Sequence, residues 1–106
     1  MAKPKLEKSN YTGILYHGSS APLTEGDLLQ PNKYKDHVGP AFVHTTPSIF
    51  VAHEFGRLST KPGGEYHIYE VEHDKGDIYK NPHQQFPAKR HLNPVRVVKH
   101  VGTFKK

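Results

Sequence analysis

The sequence predicts an α+β domain dominated by antiparallel sheet, with one short helix. Four apolar runs with strand character, at residues 13–17, 41–45, 65–72 and 95–101, supply the sheet. Pro and Gly clusters punctuate the connections, and one capped stretch at 46–56 has helical spacing. Strands gathered around a single helix define the class. At 106 residues without an internal repeat, the chain forms one domain with a small core over residues 11–106. Only 34% of its residues are hydrophobic, so aromatics, including the six Tyr, must share the packing. Residues 1–10 are polar and rich in Lys and Pro, and read as a mobile tail.

The first strand, 13–17, runs through Gly13-Ile14-Leu15 into Tyr16-His17-Gly18-Ser19-Ser20. Its end sets an imidazole, a backbone without a side chain and two hydroxyls next to one another, a set suited to a ribose. Residues 18–40 form a long connection holding Gly18, Pro22, Gly26, Pro31, Asn32, Gly39 and Pro40, interrupted by Leu28-Leu29. A loop of that length in so small a domain is functional or mobile. Ala41-Phe42-Val43-His44-Thr45 is the second strand. Thr46 is placed to cap the helix, with Pro47 at its first position, where a missing N–H costs nothing. Ile49, Ala52, His53 and Phe55 share one stripe, and Gly56 reads as the stop. A flexible loop at 58–64 leads into the clearest strand, 65–72, with Ile68, Tyr69 and Val71 as core residues. Residues 76–90 are irregular, with Pro82 and Pro87. In the last strand Val95, Val97, Lys99 and Val101 alternate against Arg96, Val98 and His100.

A formal net charge of +5 suits a polyanionic partner, either nucleic acid or a phosphate-bearing cofactor. The basic residues form no single run: they sit at Lys3, Lys5 and Lys8, at Lys33 and Lys35, and from Lys89 to the end. A merely soluble basic surface accounts for the charge as well. The chain has no Cys, which excludes disulfides and thiolate metal sites. No apolar run is long enough to span a bilayer, and the N-terminus has no apolar signal core. A cytoplasmic monomer with no membrane partner is the expectation. Nine His invite a metal reading, but there is no HExxH and no His pair at i,i+4. His67 and His73 on one strand would stand about 20 Å apart. No metal is expected. GxSxG, P-loop and GxGxxG motifs are absent as well.

Phe42-Val43-His44-Thr45-Thr46-Pro47 is the second informative unit. His44 ends a strand just before a capped helix, with Thr45 and Thr46 beside it, as His17 ends a strand with Ser19 beside it. The two imidazoles line one cleft if their strands are neighbours. Taken singly, such a histidine is more often a surface or internally satisfied residue.

The order of these segments resembles the Arr family of rifamycin ADP-ribosyltransferases. The match runs through Tyr-His-Gly-Ser at 16–19, Gly-Asp-x-Leu-x-Pro at 26–31 and Thr-x-x-x-x-x-Ala at 46–52. It continues through Ile-Tyr-x-Val-Glu at 68–72, Asn81-Pro82, and Asn-Pro-Val-Arg-Val-Val at 93–98, covering residues 13–104. The resemblance implies a small split β-sheet that grips NAD, as substrate, in a cleft. It implies that His17 binds the adenosine-side ribose. At the family's nicotinamide-packing Tyr this chain has His44, and at the family's Asp before Pro it has Asn81. Asn81 can orient a hydroxyl but can neither act as a base nor carry charge. Asp77 can take that role if the loop is arranged differently. The implied catalytic set is therefore His17, His44, Asn81 and Asp77, with His17, Gly18, Ser19, Thr45 and Thr46 around the cofactor. The acceptor is a rifamycin-like small molecule or a macromolecule.

A His at position 44 is also similar to the RNA 2′-phosphotransferase branch of the same superfamily, which suits the positive charge. Those enzymes usually carry an extra N-terminal domain, and none is expected here. Loss of the family's Asp fits a non-catalytic NAD or ADP-ribose binding module. A basic nucleic-acid binding domain fits the composition but leaves the ordered His17 and His44 pattern unexplained.

Overall fold

A computed structural model describes residues 7–31, 41–74, 76–81 and 88–106. Lys3, Lys5, Lys33, Lys35, Pro82 and Pro87 lie outside the described residues, as does the second half of the long connection. The architecture is α+β: among the described residues there are seven strands, all paired antiparallel, and one helix. In chain order they are β1 (Leu15–Ser19), β2 (Leu28–Leu29), β3 (Val43–Thr45), α1 (Ile49–Leu58), β4 (Glu65–Glu72), β5 (Tyr79–Lys80), β6 (Lys89–His91) and β7 (Val95–Lys105). The strands form two sheets, ordered β1-β4-β7-β2 and β3-β6-β5.

β4 is the centre of the larger sheet, and its sequence explains why. Tyr66, Ile68, Tyr69 and Val71 are all buried, so both faces of this strand are covered. Tyr66 and Ile68 pack under α1 with Ala52, while Tyr69 and Val71 join Leu15, Val43, Ile78, Val95 and Val97 in the main core. That core fills the space between the two sheets. β7 was expected at 95–101 and instead runs to Lys105, pairing with β4 as far back as Glu65. Register shifts after Ile68 and after Glu70 break the simple alternation of β7. Val95 and Val97 are therefore core residues, whereas Lys99 and Val101 are exposed.

Three boundaries differ from expectation for identifiable reasons. β1 begins at Leu15 rather than at 13 and extends through Gly18 and Ser19. Thr46 does not cap the helix, because its backbone is already held extended by reciprocal bonds with Tyr16 (2.8 and 3.0 Å). Ser48 becomes the cap and accepts from the Val51 N–H, while the Thr46 hydroxyl accepts from Ser48 N–H. Gly56 does not stop the helix. A Cβ there would stand 2.4 Å from the Tyr66 ring, so Gly56 is the point where helix and sheet touch. Beyond Leu58, the Lys106 ammonium donates to the Arg57 and Thr60 carbonyls (2.7 and 2.8 Å) and satisfies the helix end.

The long connection is tied down over its first half. The Tyr69 hydroxyl accepts from Leu23 N–H and donates to the Ala21 carbonyl, both at 2.8 Å. Gly26 N–H and the Asp27 carbonyl bond to Val97. Within the stretch read as a tail, Glu7 and Ser9 bond to the backbone of Lys80 and Ile78. The described part of 76–90, read as irregular, holds β5 and the start of β6, which are too short to leave a periodic signal.

Gly18 is the tightest point of the fold. A Cβ there would lie 1.9 Å from the Ala52 carbonyl oxygen and 2.8 Å from Gly56 N. Both are backbone atoms of α1 and cannot swing aside. Gly18→Ala is therefore expected to lower stability by at least about 3 kcal/mol, the upper end of overpacking costs. Urea unfolding of both proteins measures this, and equal midpoints would contradict the described helix–strand contact.

Candidate functional site

A cleft of about 630 Å³ opens where β1 of the larger sheet meets β3 of the smaller one. His17, Gly18 and Ser19 form one side, Phe42, Val43 and His44 another, and Phe55, Leu58 and Ser59 from the end of α1 close the third. Leu29 and Gln30 stand at its margin. Its volume lies within the range of small-molecule sites, and its walls are mostly apolar with a few convergent polar groups. Leu58 is 78% exposed although it lines the cleft, which leaves a large apolar side chain at the rim.

The two histidines read as strand ends do meet, although each is the middle residue of its strand, β1 running on to Ser19 and β3 to Thr45. Register pairing puts His17 on the face of β1 that also carries Leu15 and pairs with Tyr69, opposite the face covered by α1. From there its Nδ1 lies 2.9 Å from the His44 carbonyl oxygen. A carbonyl only accepts, so Nδ1 carries the proton and Nε2 keeps its lone pair. Burial lowers the His17 pKa, and the bond to His44 opposes that effect without reversing it. At neutral pH His17 is a neutral imidazole with its acceptor nitrogen fixed in orientation. Among the described residues nothing bonds to that Nε2. The Ser19 hydroxyl accepts from Ala21 N–H (3.1 Å) and keeps its own proton to donate.

The other sequence candidates have different work. Gly18 borders the cleft, yet its missing side chain is required first by the helix behind it. Thr45 and Thr46 are buried and do not line the cleft. The Thr45 hydroxyl bonds His91 Nε2 at 2.7 Å, and Thr46 serves the start of α1. Asp77 is buried away from the cleft, its two carboxylate oxygens accepting from Leu92 N–H and Asn93 N–H (3.0 and 2.9 Å). It braces the turn between β6 and β7. Asn81 follows β5 and does not line the cleft either. Among the described residues, no carboxylate does. His67 lies against His100 and Thr103, and His73 against His91. No cluster of three metal-ligating groups occurs among the described residues, and no helix there is long and apolar enough to cross a membrane.

Two residues escaped the sequence reading. His91 is fully buried, its Nδ1 donating to the Asp77 carbonyl at 2.5 Å and its Nε2 accepting from Thr45. Arg90 is only 6% exposed and lays its guanidinium over the Phe42 ring, 4.5 Å from the centroid. Lys89-Arg90-His91 carries no apolar residue, so nothing in its composition marks it as an inner strand. Phe42 was findable: two residues before His44 on a strand, it must share that residue's face. Comparison with known proteins adds nothing further: no family model and no curated protein match the chain.

Burial lowers the His91 pKa to about 4. Below about pH 6.5 the unfolded chain takes up a proton at this position and the folded chain does not. Stability must therefore fall as pH drops from about 6.5 towards 4, with about 3 kcal/mol coming from His91. His17, also lowered, adds in the same direction. Urea titrations between pH 7 and 4.5 are expected to show this slope, and His91→Asn should flatten it while lowering stability at pH 7. A wild-type and variant pair with parallel slopes would contradict a neutral buried His91.

Proposed function

We propose that the chain binds NAD in the cleft between its two sheets and transfers ADP-ribose to an acceptor, releasing nicotinamide. The observation that carries this reading is the meeting of His17 and His44 at the sheet junction, where both line the cleft and the Nδ1 bond to the His44 carbonyl leaves His17 Nε2 as the acceptor. A neutral imidazole in that state accepts from a ribose hydroxyl, and the Ser19 hydroxyl donates to a second oxygen of the same sugar. Phe55, Leu58 and Leu29 supply apolar wall for a planar base and keep water from the bond that breaks. The His44 ring, 6.3 Å from that of Phe42, offers a face on which nicotinamide can stack. Two antiparallel sheets parted by such a cleft also support an ADP-ribosyltransferase-like fold.

NAD brings a cationic nicotinamide, a leaving group that departs with the electron pair of its bond to ribose C1′. The acceptor's nucleophile forms the new bond to C1′ and gives up a proton. The protein's part is to clamp the ribose and exclude solvent, which orients the sugar for in-line attack. The acceptor is a small molecule, rifamycin-like, or a macromolecule, and a net charge of +5 suits an anionic one.

One observation favours a second reading. With Asp77 occupied by backbone N–H groups and Asn81 outside the cleft lining, no described carboxylate is at hand to stabilise a cationic sugar. That arrangement suits a module that holds NAD or ADP-ribose without turning it over. Nicotinamide release on incubation with NAD decides between the two: release establishes turnover, and saturable binding without release establishes the module.

His17→Ala tests the site common to both. Loss of one ribose hydrogen bond, about 1–3 kcal/mol, is expected to weaken NAD binding roughly 5- to 150-fold by calorimetry. The circular dichroism spectrum should be unchanged. Equal affinity for the two proteins would remove His17 from the binding site.

A further inference from the structure

Three side chains on one face of the larger sheet converge on a single point. His67 Nδ1 stands 3.3 Å from His100 Nε2 and 3.0 Å from the Thr103 hydroxyl oxygen, and the remaining edge, from Thr103 to His100, is 3.3 Å. A bulge brings them together. On β4, His67 and Tyr69 share a face, with Thr103 opposite the first and His100 opposite the second. Strict alternation along β7 would turn His100 and Thr103 to opposite faces. Val101 is the extra residue of β7 between the partners of Ile68 and Tyr69, and it returns both side chains to the face of His67. Sequence spacing sets His67 against His73 on its own strand, whereas its partner in the fold is 33 residues away.

The rings are held in place. His67 stacks on Tyr69, with centroids 5.9 Å apart and 26° between planes, and His100 lies 5.3 Å from the same ring. Tyr69 is fully buried and its hydroxyl is tied to Leu23 and Ala21, so it is a fixed platform. His100 and Thr103 are exposed and His67 is half-buried, which leaves the cluster open to solvent.

Hydrogen bonding alone serves this triangle poorly. The Thr103 hydroxyl brings one proton to three edges. A proton on one ring nitrogen serves a second edge, and protons on both set two N–H donors face to face. A cation above the triangle meets all three lone pairs at once. Tetrahedral ligands about 2.0–2.1 Å from a zinc ion stand about 3.3 Å from one another, which matches the edges. Imidazole nitrogen selects zinc and its late first-row neighbours over magnesium or calcium. Among the described residues no third His, Cys, Asp or Glu joins the cluster, so the two imidazoles supply the strong bonds.

We infer that His67 and His100 chelate a divalent ion of the zinc class, through Nδ1 of the first and Nε2 of the second, with the Thr103 hydroxyl at the third corner and solvent at the fourth. Each ring then carries its proton on its other nitrogen. The ion pins β4 to β7 across the bulge. Ser19, which lines the cleft, pairs with His67 from the other side of β4, so the ion stands one strand away from the cleft. The site does not rest on the NAD reading.

Two-bond proton–nitrogen spectra of the wild-type protein at neutral pH test this. The His67 Nδ1 and His100 Nε2 signals are expected to move together as zinc chloride is added to one equivalent, and magnesium chloride is expected to leave both in place. By calorimetry, His67→Gln and His100→Gln are each expected to lose at least the roughly 10- to 100-fold in zinc affinity that loss of an outer-shell partner costs. Wild-type zinc affinity in either variant would overturn the chelate. So would ring nitrogens that stay fixed at saturating zinc, or that move equally with magnesium. Should a variant not fold, the wild-type spectra decide alone. Zinc chelation by a protein that does not bind NAD would refute the function proposed above and leave this site standing.

Discussion

Everything functional in this fold depends on how β1 is fastened to β3. Tyr16 and Thr46 exchange two backbone hydrogen bonds, and next to them the His17 ring donates to the His44 carbonyl. These contacts join two otherwise separate sheets at one corner. Beyond that corner the strands part, and the gap between them is the cleft. The same bond that fastens the sheets also fixes which nitrogen of His17 is bare. A side-chain hydrogen bond here performs two tasks; loss of the imidazole removes the oriented acceptor, while the Tyr16–Thr46 backbone bonds still hold the strands together.

The fastening is stiff because the layer behind it is close-packed. α1 lies directly on β1 at Gly18 and on β4 at Gly56, positions where any side chain would collide with the facing backbone or ring. Helix and sheet can approach only because both carry glycine at the contact. That closeness brings Phe55 and Leu58 to the cleft from the end of the same helix. On the other side, buried His91 ties β6 to β3 through Thr45 and to the Asp77 backbone, so the smaller sheet is braced by polar bonds rather than apolar volume. A chain with few large aliphatic residues can build its second sheet in that way, at the cost of sensitivity to acid.

Much of the larger sheet was legible in the sequence. Residues 65–72 declare themselves by a run in which Tyr66, Ile68, Tyr69 and Val71 leave no polar face, and the two segments around His17 and His44 locate the cleft, although both residues lie in mid-strand. What the sequence hides is long-range partnership. Nothing local says that Asp77 accepts from amides 15 and 16 residues away, or that Thr46 is held by Tyr16 and so cedes the helix cap to Ser48. Gly18 reads as room for a ligand until α1 is placed behind it. Arg90, in a three-residue strand with Lys and His on either side, resembles a surface position and is buried. Of the residues singled out by the Arr-like resemblance, His17 and His44 line the cleft, whereas Asp77 and Asn81 do not.

The central claim is that His17 is a neutral imidazole, protonated at Nδ1, whose Nε2 accepts a hydrogen bond from NAD. Two-bond proton–nitrogen correlation spectra of the histidine-labelled protein at pH 7 address it directly. The expected spectrum assigns His17 a protonated Nδ1 and a bare Nε2, with the Nε2 signal moving as NAD is added. A His17 that is doubly protonated, that carries its proton on Nε2, or whose Nε2 signal stays fixed at saturating NAD would contradict it.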